Sequence, residues 1–140
     1  MRSPLALIFL FACGSDPAKT VDASPDGAPA AINGCQAAQA VDRTAAAASR
    51  MITFGTDELY TPRCLKISVG QSVTWSGSFE FHPLRPGIVG GAQVDPQPGN
   101  PVPSVNSGTS QVVTFAAAGA WAYYCTAHAP GMAGVVYVVP

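Results

Sequence analysis

The chain has 140 residues, a formal net charge of −1 and only 11% charged residues, with 14 glycines, 13 prolines and four cysteines. So sparse a charge excludes nucleic-acid binding through a basic face, because nothing would neutralise the phosphates, and it excludes a polybasic membrane patch. The length allows one domain with appendages, and Gly and Pro between runs of Val, Thr and aromatic residues favour strands joined by turns.

At the N-terminus, Arg2 precedes "PLALIFLFA", an apolar run far too short to cross a bilayer as a helix. It closes in "LFAC" and is followed by "GSDPAKTVDASPDGAPAA". An apolar stretch ended by a small residue and a cysteine resembles the lipobox of bacterial lipoproteins. That resemblance implies a signal peptide over residues 1–12, cleavage before Cys13 and a lipid on that thiol. It also implies a place on the periplasmic side of the cell envelope, with Gly14 rather than Asp after the cysteine pointing to the outer membrane. Residues 13–33 carry too little apolar surface to fold and read as a flexible tether with a reach of roughly 25 Å. The membrane is then met through the lipid anchor only. An ordinary signal peptide with an incidental cysteine, or an unusually short anchor, is the alternative.

The domain is expected over residues 34–140. With Cys13 set aside, Cys35, Cys64 and Cys125 remain, and in an oxidising compartment two of them should pair. Cys35 and Cys64 sit beside turn residues in "NGC" and "TPRC" and are expected to form the disulfide, closing a loop that contributes on the order of 3 kcal/mol. A disulfide that uses Cys125 stays open at this point. "QAAQAVDRTAAAASR" (36–50) has helical propensity without an apolar stripe and reads as loop or short helix. Period-two patterning predicts strands at 51–55, 64–69, 72–77, 78–82, 110–116, 120–125 and 133–139. Residues 83–109 are too rich in Pro and Gly for a long central strand and read as a crossover with one edge strand. Seven or eight short strands without a long helix predict an all-β, two-sheet antiparallel sandwich. In "AWAYYC", Trp121, Tyr123 and Cys125 share one face and Ala122 and Tyr124 the other.

The chemistry resides in "YYCTAHAPGM", residues 123–132, where Cys125, His128 and Met132 fall together in a chain with only two histidines. A thiolate, an imidazole and a thioether are soft or borderline donors that suit copper better than zinc, calcium or magnesium. Two histidines and a cysteine in a plane with a distant axial methionine form a blue-copper site, and His82, at the end of "SFEFH", is left to supply the second imidazole. A Cys125/His128 nucleophile pair is poorly placed, because the adjacent donors would compete for the thiolate.

"YYCTAHAPGMAGVVYV" resembles the copper loop of plastocyanin-like cupredoxins, and "LKISVGQSVTWSGSFEFHP" resembles the strand that leads to their first histidine ligand. The resemblance spans roughly residues 51–140. It implies a Greek-key β-sandwich that carries one type 1 copper, held by His82, Cys125 and His128 with Met132 axial. It further implies a monomer that exchanges single electrons with redox proteins docking near His128, and it marks Tyr124 as a lateral electron route. Where the family often has Asn after the first histidine to tie two loops together, this chain has Pro83, so that tie must come from elsewhere. Ala127 replaces the family's proline between Cys and His. Pro83, Leu84, Pro86, Ala127, Ala129 and Pro130 would form an apolar rim, with Arg85 nearby. Four protein ligands leave no position for a substrate and two histidines cannot build further copper centres, so no enzymatic activity is expected. Copper storage or delivery with the same ligands is the nearest rival, and a metal-free adhesion module is the third reading.

Overall fold

The computed structural model describes residues 29–91 and 93–140. The expected signal peptide, Cys13 and the tether as far as residue 28 lie outside the described residues. Among those described, the strands are β1 (Val41–Asp42), β2 (Met51–Thr53), β3 (Cys64–Ser68), β4 (Ser72–Ser76), β5 (Leu84–Pro86), β6 (Ile88–Gly90), β7 (Gln93–Asp95), β8 (Ser110–Thr114), β9 (Gly119–Cys125) and β10 (Ala133–Val139). One sheet has the order β1-β3-β10-β9-β5 and the other β2-β4-β8, while β6 and β7 form a separate ribbon. The eight strands of the two sheets make the expected all-β sandwich.

Period two explains the interior. In β3 and β4 every second residue is buried, which sends Leu65, Ile67, Val73 and Trp75 inward. They meet Ile52, Phe115, Tyr123 and Val136 in one core. Tyr123 stands edge-on to Trp75 (centroids 5.1 Å apart, planes at 85°) and to Tyr60 (5.0 Å, 71°). Such pairs add about 0.5–1.5 kcal/mol each beyond the area they bury.

The uninterrupted apolar run of β10 has a separate cause, because both of its faces are covered. Val136 and Val138 face the main core, and Val135 packs with Cys35 and Ala122 under the N-terminal segment. A disulfide between Cys35 and Cys64 (Cα atoms 5.6 Å apart) pins that segment to the start of β3. Ile32 and Cys35 pair across Asn33 and Gly34, whose φ angles of 48° and 72° form a tight hairpin turn. Ile32 and Asn33, read from sequence as the end of the tether, are thus held within the domain. The Asn33 amide nitrogen donates toward the carbonyls of Gly87, Tyr123 and Gly134 (3.0–3.2 Å), and its oxygen accepts from the Val89 N–H at 2.8 Å.

Three sequence expectations are corrected. Residues 78–82 form a turn and not a strand: the His82 N–H donates to Ser78 O at 3.1 Å, Phe79 is buried and Phe81 is 71% exposed. A strand would put both phenylalanines on one face, but here the chain turns from β4 in one sheet to β5 in the other. The sheets are mixed, with β1–β3, β3–β10 and β2–β4 parallel; between β1 and β3, and between β2 and β4, the chain passes through the opposite sheet and so returns in the same direction. The 83–109 crossover contains β5 as its edge strand and the β6–β7 ribbon besides. The open choice at 36–50 resolves into a short 3-10 turn (Ala37–Gln39), β1 and a loop. The Arg50 guanidinium holds that loop by donating to the carbonyls of Arg43, Ala45, Ala46 and Ala48.

The two core tyrosines differ in one respect. The Tyr123 hydroxyl donates to Arg63 O at 3.0 Å, whereas the Tyr60 hydroxyl is buried without a partner among the described residues. Tyr123→Phe is therefore expected to cost about 1 kcal/mol, and Tyr60→Phe to be neutral or stabilising, as read by denaturant unfolding. Burial raises both hydroxyl pKa values, with the Cys125 charge adding to the effect at Tyr60. Their neutral forms belong to the folded state. Stability from this source is full below about pH 10 and is lost as pH rises above it, and each Phe variant should flatten that alkaline slope.

Candidate metal centre

The centre is assembled by strand pairing at one pole of the sandwich. β9 delivers Cys125 as its last residue, and the chain turns through residues 126–131 before β10 begins at Ala133. Two backbone hydrogen bonds close this loop on itself: Cys125 N–H donates to Met132 O (2.9 Å) and Met132 N–H to His128 O (3.0 Å). Cys125 and Met132 therefore lie side by side at the loop's base, both fully buried.

The second segment arrives through β5. Its first residue, Leu84, is the register partner of Cys125, and the Thr126 N–H donates to Pro83 O at 3.1 Å. This backbone bond ties together the two loops that an asparagine side chain after His82 would join, and Pro83 takes part through its carbonyl, the one hydrogen-bonding group it retains. Arg85 does not reach toward the centre. Its guanidinium donates to the carbonyls of Leu84 and Val105 and to the Asn106 side chain, so it fastens β5 to the 105–106 segment.

With the strands so placed, three of the four sequence-predicted donors, those of His82, Cys125 and His128, converge. His82 Nδ1 and His128 Nδ1 are 3.1 Å apart, and Cys125 Sγ is 3.5 Å from His128 Nδ1. The three donor atoms all lie within 4.8 Å of one another. Cys125 is the free cysteine among the described residues, since Cys35 and Cys64 are paired. His82 is 7% exposed, and its ring stands edge-on to Phe54 at 5.8 Å and 80°. Phe54 itself packs on Tyr60 and Phe79, so an aromatic floor fixes the His82 ring from below. His128 keeps its outer edge toward solvent, and there Nε2 lies 3.4 Å from a carboxylate oxygen of Glu58. Phe54 and Glu58 escaped the sequence reading. Neither has a spacing to the donors that a pattern could reveal.

The donors suit a particular kind of ion. Two inward imidazole nitrogens and one sulfur, with a thioether on the same short loop, are too soft a set for calcium or magnesium and match copper. A two-sheet β-sandwich with a His–Cys–His group at one pole is a cupredoxin-like arrangement. No protein-family model and no curated protein matches the chain. Among solved structures, a purple cupredoxin from Nitrosopumilus maritimus is similar at 25% identity, covering 65% of this chain and 100% of that one with a TM-score of 0.46. Amicyanin from Paracoccus versutus is similar at 22% identity (68% and 85% covered, TM-score 0.45). A Cu-containing nitrite reductase from Thermus scotoductus is similar at 23% identity over 74% of this chain and 26% of its own, with a TM-score of 0.47. At these scores the likeness is loose, and the character of the centre is read from its own donors.

Phe54→Ala would open a cavity under His82. It is expected to cost about 3–5 kcal/mol, measured by denaturant unfolding, and to loosen the His82 ring, measured as averaging of its NMR signals.

Proposed function

We propose that the protein is a type 1 copper protein that carries single electrons between redox partners. The observation that carries this reading is the convergence of His82 Nδ1, His128 Nδ1 and Cys125 Sγ on one spot. In this reading His82, Cys125 and His128 would hold the copper, and the Met132 thioether would be the fourth donor. Bound there, the copper supplies a one-electron couple.

The chain's own residues supply the rest. A buried Cys125 and a nearly buried His82 exclude water from the inner side of the ion. The Cys125–Leu84 pairing and the Thr126–Pro83 hydrogen bond keep the donors from moving apart when the charge at the centre changes, so little reorganisation accompanies a transfer. His128 alone presents an edge to solvent, with Ala127 and Pro130 exposed beside it. This apolar edge suits brief docking of a redox protein. Attachment to the periplasmic side of the envelope through a lipid on Cys13, and action as a monomer, complete the proposal. They rest on the sequence of the N-terminal segment and on the small size of the domain. Copper storage or delivery with the same ligands is the alternative, and a site shielded on its inner side favours electron transfer over exchange of the ion.

Titrating the purified protein with Cu(II) while recording its visible spectrum tests the assignment. One equivalent should produce an intense thiolate-to-copper band that is absent from Cys125→Ser and altered in Met132→Ala. A colourless protein would overturn it. Rapid loss of copper to a chelator, with the band present, would move the role to delivery.

A further inference from the structure

The chain places a glutamate where its backbone favours glycine. Glu58 has a φ of 56°, in the left-handed region that glycine enters freely and a residue with a Cβ does not. The turn that imposes this conformation is held by the Glu58 N–H donating to Gly55 O at 3.2 Å and the Leu59 N–H to Asp57 Oδ1 at 3.4 Å. The result is a side chain, 60% exposed, whose carboxylate oxygen lies 3.4 Å from His128 Nε2. Lys66–Asp42 is the other ion-pair contact among the described residues, and it lies on β3 and β1. The contact at His128 is thus a local arrangement in a charge-poor domain.

The two imidazoles pose a problem of their own. His82 Nδ1 and His128 Nδ1 are 3.1 Å apart, and at that distance two bare lone pairs repel. One nitrogen must carry the proton between them, and the pair alone does not decide which. A neutral imidazole has one N–H and one acceptor nitrogen, and the group facing one nitrogen sets the state of the other. A carboxylate beside His128 Nε2 draws the proton there and leaves His128 Nδ1 as the acceptor, so that His82 Nδ1–H becomes the donor.

We propose that Glu58 is a positioning residue that fixes His128 in the Nε2–H form and so holds its Nδ1 lone pair ready for the metal. The inference rests on the reading of His128 as a ligand. At 3.4 Å the contact is longer than a good N–H···O bond, so the carboxylate acts chiefly through its charge. A carboxylate behind a ligating histidine typically changes metal affinity 10–100-fold.

The test begins with metal-free protein, at a pH where the imidazoles are neutral, by 15N NMR of the two histidines. The expected result is His128 as Nε2–H and His82 as Nδ1–H in the natural protein. In Glu58→Gln and Glu58→Gly, His128 should become a mixture of both forms. Glu58→Gly also separates positioning from structure: relief of the left-handed backbone should leave the melting temperature equal or higher, while copper affinity, measured by chelator competition, falls about tenfold. His128 already in the Nδ1–H form, or variants that leave the proton's position unchanged, would overturn the proposal. A natural protein with the expected forms but no copper binding would sink the copper assignment and leave standing only that Glu58 sets the position of the His128 proton.

Discussion

The pairing of Leu84 with Cys125 is the constraint on which the centre depends. His82 and Cys125 belong to segments far apart in the chain, and nothing local would bring them together. A three-residue edge strand beside β9 does so, and the Thr126 N–H on the Pro83 carbonyl continues the pairing beyond the strand's end. Once that register is set, the turn at 78–82 has one way to deliver His82, over the aromatic floor of Phe54. A shift of one residue would turn Leu84 out of the core and His82 away from the sulfur. The register that buries Leu84 is therefore also the register that assembles the donors.

What was legible in the sequence follows the same division between local and distant. Cys125, His128 and Met132 are local, with spacings fixed by one short loop, so they could be read directly. Strands with buried alternation, such as β3 and β4, could be read for the same reason. His82 was accessible through the stretch that leads to it and because the chain has no other histidine to offer. The turn at 78–82 was misread because "FEF" alternates on paper, and only the jump between sheets reveals that Phe79 goes inward and Phe81 outward. Parallel pairing in both sheets was equally hidden, since it arises from connections that pass through the opposite sheet. Glu58 had no signature at all: a carboxylate reaches His128 across the fold through a backbone conformation that its residue type does not advertise.

The scarcity of charge gives each remaining charge more effect. In a highly charged surface, one carboxylate near an imidazole would be averaged against many neighbours. Here the Arg85 guanidinium is turned toward Asn106 and backbone carbonyls, and the Asp42 carboxyl is held well below the usual carboxylate range by the hydrogen bond it accepts from Lys66 and then by those from Thr44. Glu58 is the charged side chain placed against the outer edge of His128. The same economy governs the interior, where the buried hydroxyl of Tyr123 is satisfied by backbone rather than by a charged partner.

The Asn33 amide bears on how the domain withstands tension. Its side chain grips Gly87, Tyr123, Gly134 and Val89 at once, two residues from Cys125 on one strand and two from Met132 on the next. Two residues further on, Cys35 is covalently joined to β3. A pull on the chain from its N-terminal side is therefore taken up by the Asn33 amide contacts acting together and then by a covalent bond. The load spreads across the sheet at the root of the 125–132 loop before it can reach the loop, so the donors would keep their spacing while force is applied ahead of Ile32.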